Sequence, residues 1–365
     1  MPRILETGTG MSTRKHPFLK FLLWVLAICV GLELGLRLFG YGSYTLYRPD
    51  ERLLWVPRAG TTLTMVNHLP ITINDQGLRY PVDLQAKQND ELRIITFGDS
   101  ATQGWGVDDK SHYSADLERL LNAGSCPGRH VQVANAGVNA YPNSLVGEKL
   151  KEVVTDDRTR PDIAVRAYSF NTNLERLTQL KGEDREKFLR RVEWKAIARR
   201  SAMYNFFIED LLRTYAYYRI RHLLMAGSLS TIEGNGDLDV DQFKANLGES
   251  LRLCRANNVQ LVLLLLGSQD ETTDLHPFQK AMLEFARAEN VPIVNMIDIM
   301  RTKDQNAVYM DIAHPTKLGH QLIADQLEKT IRTLPSYSAA CEGTPPVKLA
   351  TSDKVGSSAA STTNR

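Results

Sequence analysis

The chain has almost no excess of charge: 44 Lys and Arg stand against 42 Asp and Glu, a net +2 over 365 residues. Such a balance gives no electrostatic reason to expect a nucleic acid or a strongly acidic partner. No internal repeat is evident, and no group of His, Cys, Asp and Glu has the spacing of a metal site. Cysteine is scarce, with four in all. Cys29 lies in an apolar run and Cys254 in a helical pattern facing a strand, so both read as small apolar fillers. Cys126, before Pro127-Gly128, and Cys341, near the C-terminus, remain available to pair in an oxidising compartment. What is present is 43% hydrophobic residues, enough to bury one substantial α/β core with smaller additions.

Chemistry concentrates in two distant segments. The apolar run Leu92-Arg93-Ile94-Ile95-Thr96-Phe97 ends in Gly98-Asp99-Ser100, which puts a hydroxyl at the carboxyl end of a buried strand, where open α/β sheets place ligands. A serine hydroxyl is a weak nucleophile at neutral pH and needs a base, whose tautomer a third group must fix. Asp311-Ile312-Ala313-His314 supplies both: His314 as base and Asp311 as orienter, in a tight turn leading to a helix that Pro315 would help to start. Each piece alone has an ordinary explanation. Gly-Asp-Ser is a common turn, and an aspartate before the last helix is a common cap. His112 and His320, at the start of the first core helix and within the last, read as surface or second-layer residues.

Taken together, Gly98-Asp99-Ser100, Asn135-Ala136-Gly137, Asn171 after the strand that begins Pro161-Asp162, and Asp311-x-x-His314 resemble the four sequence blocks of the SGNH (GDSL-type) serine hydrolases. The resemblance implies Ser100, Asp311 and His314 as the catalytic residues. It implies an oxyanion hole formed by the Ser100 amide, the Gly137 amide and the Asn171 side chain. The third block departs from the family's Gly-x-Asn-Asp, reading Ser169-Phe170-Asn171-Thr172, and Asn173 is a rival to Asn171. Asn74-Asp75-Gln76-Gly77-Leu78-Arg79 resembles a lead-in found in membrane-anchored members.

Residues 18–41 hold the longest apolar stretch, uncharged from Phe21 to Leu32 and extended past Glu33 and Arg37. It has roughly the 20 residues needed to cross a bilayer. Glu33 and Arg37 are four apart and able to pair on a helix. No small-x-small cleavage site follows before Gly40. In Leu26-Ala27-Ile28-Cys29, Ile28 occupies a position that lipoprotein boxes fill with Gly, Ala or Ser, so an uncleaved signal-anchor is expected. Arg3, Arg14, Lys15 and Lys20 before the span balance Arg37, Arg48, Arg52 and Arg58 after it. Charge therefore does not set the orientation, and a periplasmic or extracellular catalytic domain follows from the resemblance.

Hydrophobic period predicts strands at 92–97, 130–135, 162–169, 259–266 and 291–297, with helices at 112–123, 144–156, 240–257, 276–289 and 316–333. Strands joined by helices imply a parallel five-stranded sheet in a three-layer α/β sandwich, the flavodoxin-like arrangement of the SGNH fold. The expected organisation is a basic tail 1–17, a transmembrane helix 18–41, a lead-in 42–90 packed on the core, and a hydrolase domain 91–335. A basic, aromatic helical insertion occupies about 174–239, and a disordered tail 336–365. The insertion has three readings from sequence: a cover for the site, a surface resting on the membrane, or a helical pair packed on the core.

The expected function is hydrolysis of an acyl ester on a carbohydrate or lipid, with no cofactor. Acetylated cell-surface polysaccharide is a candidate substrate. The alternatives are an O-acyltransferase of the same fold and a non-catalytic envelope assembly protein.

Overall fold

The computed structural model describes residues 17–42, 44–64, 69–124, 129–169, 172–212, 239–269 and 275–342. Helix α1 (Pro17–Leu38) has 22 residues, about 33 Å at 1.5 Å per residue. It is long and apolar enough to cross a bilayer, a character that signal sequences share, and its span is not buried against the rest of the protein.

Two antiparallel hairpins follow, β1 (Tyr47–Asp50) with β2 (Leu54–Pro57) and β3 (Thr61–Thr64) with β4 (Pro70–Ile73). The first joins the main core, with Leu53, Leu54, Trp55 and Val56 buried in the same cluster as residues of the central sheet, as are Leu78 and Leu84 beyond β4, whereas Ile71 and Ile73 of β4 form a small separate cluster with Leu46. That sheet contains β5 (Glu91–Phe97), β6 (His130–Asn135), β7 (Ile163–Tyr168), β8 (Gln260–Leu265) and β9 (Ile293–Asn295), in the order β6-β5-β7-β8-β9. Every pairing is parallel.

The short helix α2 (Ser100–Gln103) follows β5 directly. Helix α3 (Tyr113–Ala123) leads to β6, α4 (Asn143–Thr155) to β7, and α5 (Gly182–Ala198) and α6 (Ala202–Tyr204) lie in the insertion. Beyond it come α7 (Val240–Ala256), α8 (Pro277–Ala288), α9 (Ile297–Met300), α10 (Gln305–Val308), α11 (Lys317–Arg332) and α12 (Pro335–Glu342). Two apolar clusters show the layering. Residues of α4, α7 and α8 fill one face of the sheet, and those of α3, α11 and α12 fill the other. Burial on both faces explains why the strands are continuous apolar runs rather than alternating ones.

Two arginines inside those strands are fully buried, a costly placement that hydrogen bonds from most of their donors offset, Arg166 Nε alone lacking an acceptor among the described residues. Arg93 of β5 donates to Glu91 and to the carbonyls of Arg158 and Gln85. Arg166 of β7 donates to the Asn143 and Asn246 carbonyls and to Ser250, and burial lowers its pKa to about 10.

The structure differs from the sequence expectation at the C-terminus. Residues 335–342 form α12 rather than the start of a disordered tail, because Tyr337 is buried in the cluster shared with α3 and α11 and Ala340 and Cys341 pack against that cluster. A composition rich in Ser and Ala concealed that face. Residues 343–365 lie outside the described residues. Cys341 is disulfide-bonded, Cys29 and Cys254 are free, and Cys126 lies outside the described residues.

Candidate active site

The carboxyl end of β5 lies between β6 and β7, where successive connections leave on opposite sides of the sheet. This switch point is where open α/β sheets bind ligands. Gly98 lets the chain turn there, since a Cβ would collide with the Thr102 hydroxyl and crowd Ala167. Asp99 caps α2, its side chain accepting from the Ala101 amide at 3.0 Å, and Gly104 ends the helix in the left-handed region at φ 83°. Ser100 is thereby held in a short, rigid turn, 7% exposed.

His314 arrives from the other end of the chain. Its Nε2 lies 2.8 Å from Ser100 Oγ, and its Nδ1 lies 2.7 Å from Asp311 Oδ2. Asp311 is fixed in turn by the amides of Ala313 and His314, which donate to Oδ1 at 3.0 and 2.9 Å. Although burial opposes the charge, these bonds and the nearby His314 hold the Asp311 carboxyl below its ordinary pKa. An ionised Asp311 makes Nδ1 the protonated nitrogen and leaves Nε2 free to accept the serine proton. The turn is closed by the Met310 amide donating to the His314 carbonyl at 2.8 Å. Pro315 sits one residue before the Thr316 cap of α11 rather than inside its first turn, because it forms a bridge with Tyr309. Trp105 borders the imidazole, with ring centroids 6.2 Å apart.

The expected oxyanion donors fare differently. The Ser100 amide has no acceptor among the described residues, whereas the Gly137 amide donates to Asn135 Oδ1 at 2.8 Å. Gly137 is therefore corrected from donor to spacer: a Cβ there would press on the backbone of Thr102 and Gln103. Three residues on, Ala140 takes φ 64°, a left-handed conformation unusual for a residue with a side chain. Its amide has no acceptor among the described residues. Asn171 lies outside the described residues, and nothing is described of the Asn173 side chain.

Several supporting residues were assigned no role from sequence. Asn135 is fully buried and braces α2 by donating to the Thr102 carbonyl at 2.7 Å. Ser169, standing where the family block has glycine, donates its hydroxyl to Asp99. Asp99 is nevertheless pushed up in pKa by burial. Arg79, the last residue of the lead-in motif, is 2% exposed. It donates to the carbonyls of Gln103 at 2.7 Å, Gly104 at 2.9 Å and Val107 at 2.9 Å, and to Asp109 at 2.9 Å. Thus the motif feeds a guanidinium into the carbonyl end of the helix that carries Ser100, where a cation is favoured.

His112 and His320 belong to this second layer, not to the surface. His112 Nδ1 accepts from the Ala115 amide at 3.2 Å and His320 Nδ1 from the Tyr113 amide at 3.3 Å. A ring nitrogen that accepts carries no proton, so both rings are neutral. Burial, then the Arg79 charge, lowers both pKa values, that of His320 to about 3.

A buried parallel sheet, a serine at its switch point and an aspartate-oriented histidine in contact with that serine define a serine hydrolase of the GDSL/SGNH type. The chain belongs to the GDSL-like Lipase/Acylhydrolase family, whose signature matches residues 96–322, more than half of its length. It is an ester hydrolase. Among solved structures it is similar to the psychrotrophic esterase EstA from Pseudoalteromonas sp., with 13% identity, 66% of this chain and 96% of that one covered, and a TM-score of 0.42. It is also similar to the acetyl xylan esterase AlAXEase, with 13% identity, 65% and 98% covered, and a TM-score of 0.41. For a GDSL-like lipase from Bacteroides thetaiotaomicron the values are 14%, 67%, 90% and 0.40. No curated protein sequence matches the chain.

Proposed function

We propose that the protein is a membrane-anchored esterase or deacylase working outside the cytoplasm, with Ser100 as nucleophile, His314 as general base and acid, and Asp311 as its orienter. The continuous contact from Asp311 through His314 to Ser100, with 2.7 and 2.8 Å links, carries this reading. As Ser100 Oγ attacks the ester carbonyl, its proton passes to His314 Nε2. Collapse of the tetrahedral intermediate breaks the carbon–oxygen bond to the alcohol, which leaves with that proton. Water, deprotonated at the same nitrogen, then releases the acyl group and restores the serine. The developing oxyanion is received by the amides of Ser100 and Ala140 and by the Asn171 side chain. Donors of this kind are each worth roughly 100- to 1000-fold in rate.

The anchor reading is supported by the exposed apolar helix α1. An extracytoplasmic catalytic domain is supported by the disulfide at Cys341, since such bonds persist in oxidising compartments. For an enzyme held there, acyl esters of surface carbohydrate are within reach, and O-acetyl groups on a polysaccharide are the substrate class we assign. Ser100→Ala should lower ester turnover by more than about 10⁴-fold while the circular dichroism spectrum and melting temperature stay those of the parent. Unchanged turnover would overturn the mechanism.

A further inference from the structure

A carboxylate near the end of an apolar span is costly to keep unless it has partners. Glu33 has four. Its oxygens accept from Ser201 Oγ at 2.8 Å, from the amides of Ala202 and Met203 at 2.9 and 3.0 Å, and from Arg37 Nε at 2.9 Å. Glu33 therefore ties α1 to the start of α6 in the insertion. Arg37 adds a bond to the Arg200 carbonyl at 2.8 Å, the Tyr44 amide one to the Arg199 carbonyl at 2.9 Å, and Asn205 Nδ2 one to the Gly42 carbonyl at 2.7 Å. Tyr41 meets Phe206 edge-on with ring centroids 5.1 Å apart. The insertion is fastened to the exit of the span.

Helix α5 turns Phe188 and Val192 toward the core and leaves the opposite face bare. Arg190, Trp194 and Ile197, spaced four and three apart, share that face; Trp194 is 69% exposed and Ile197 44%. Phe207 and Ile208, each 40% exposed, belong to the same fastened unit, and Leu38 and Phe39 are 89% and 80% exposed at the end of α1. The apolar residues of α5 lie at its docked end. Lys187, Arg190 and Arg191 lie farther along; the first two pair with Glu183 and Glu186 on the exposed surface, where such pairs are weak and leave the cations able to meet other anions.

We infer that Trp194, Ile197, Phe207 and Ile208 form a second bilayer contact beside the span, while the cations of α5 face anionic lipid headgroups. The occupant is lipid because the patch is joined by hydrogen bonds to the end of an apolar helix of membrane-spanning length. Tryptophan at an interface with basic residues next to it is the composition that favours this boundary. The catalytic domain is then held at a fixed height on the membrane. This inference rests on the proposed anchoring.

The test uses the full chain in vesicles of phosphatidylcholine and phosphatidylglycerol, with and without bromine on the lipid acyl chains. Tryptophan emission is compared for the parent, Trp194→Phe and Trp24→Phe, so that subtraction isolates one residue in the patch and one in the span. Both isolated components should be quenched by brominated lipid and keep their intensity in unbrominated vesicles. Quenching of the Trp24 component alone would overturn the second contact while leaving the anchor intact. If neither component is quenched, the anchor fails and the contact fails with it.

Discussion

Behind Ser100 stand buried ionisable groups whose charge states are set by burial. His320 shows this most clearly. In the unfolded chain its imidazole titrates near 6.5, and in the fold at about 3, because desolvation and then the Arg79 and His314 charges disfavour its cation. A depressed basic pKa leaves stability untouched above pH 6.5 and removes it progressively as the pH falls toward the folded value. By pH 4 the loss is on the order of 3 kcal/mol. Asp99 and Glu118, both raised by burial, act in the opposite sense, so the slope of one protein does not isolate His320. Denaturant titrations between pH 4 and 7 should show a markedly shallower acid loss in His320→Asn than in the parent; parallel curves would contradict the assignment. The proposed oxyanion role of Asn171 is tested equally simply. Asn171→Ala should lower kcat about 100-fold or more and Asn173→Ala far less, with the reverse order showing that the block is displaced by two residues.

At the level of elements, the helix carrying Ser100 has only one turn of its own and is held by its neighbours. Asn135 of β6 takes the Thr102 carbonyl, and Arg79 takes those of Gln103 and Gly104. Replacing Arg79 by Met leaves the Gln103 carbonyl without a donor, the Gly104 carbonyl with the Val107 amide alone at 3.3 Å, and Asp109 without its charged partner. Chemical denaturation should register a loss of about 3 kcal/mol; a loss below 1 kcal/mol would show that the lead-in does not support α2. The five strands and their helices were legible in the sequence because each is a long apolar run with one period. The contact of Ser100, His314 and Asp311 was legible because the serine and the aspartate–histidine pair each sit in a short motif next to a strand or helix end. Arg79 was visible as part of a motif, yet its partners are about 24 to 30 residues away, a distance no local pattern encodes. Gly137 was misread for a related reason. Its block predicts a donor amide, but only coordinates reveal that Asn135 already accepts it. The positive φ at Ala140 has no sequence mark at all, since glycine would be the usual signal. The helix at 335–342 was hidden by composition, its burial depending on Tyr337 finding the cluster shared with α3 and α11.

For the molecule as a whole, the sheet brings Ser100 and His314 together across 214 residues of chain, while the insertion reaches back to the apolar helix that precedes both. The proposed chemistry and the proposed tether therefore rest on different parts of the chain, so each can be altered separately. The account depends most on the claim that His314 activates Ser100. A fluorophosphonate probe reports this directly, since phosphonylation requires the same activated oxygen. Peptide mapping should place the adduct on Ser100 in the parent, with labelling at least about 100-fold slower in His314→Asn. An adduct on another residue, or equal labelling rates in the two proteins, would contradict it.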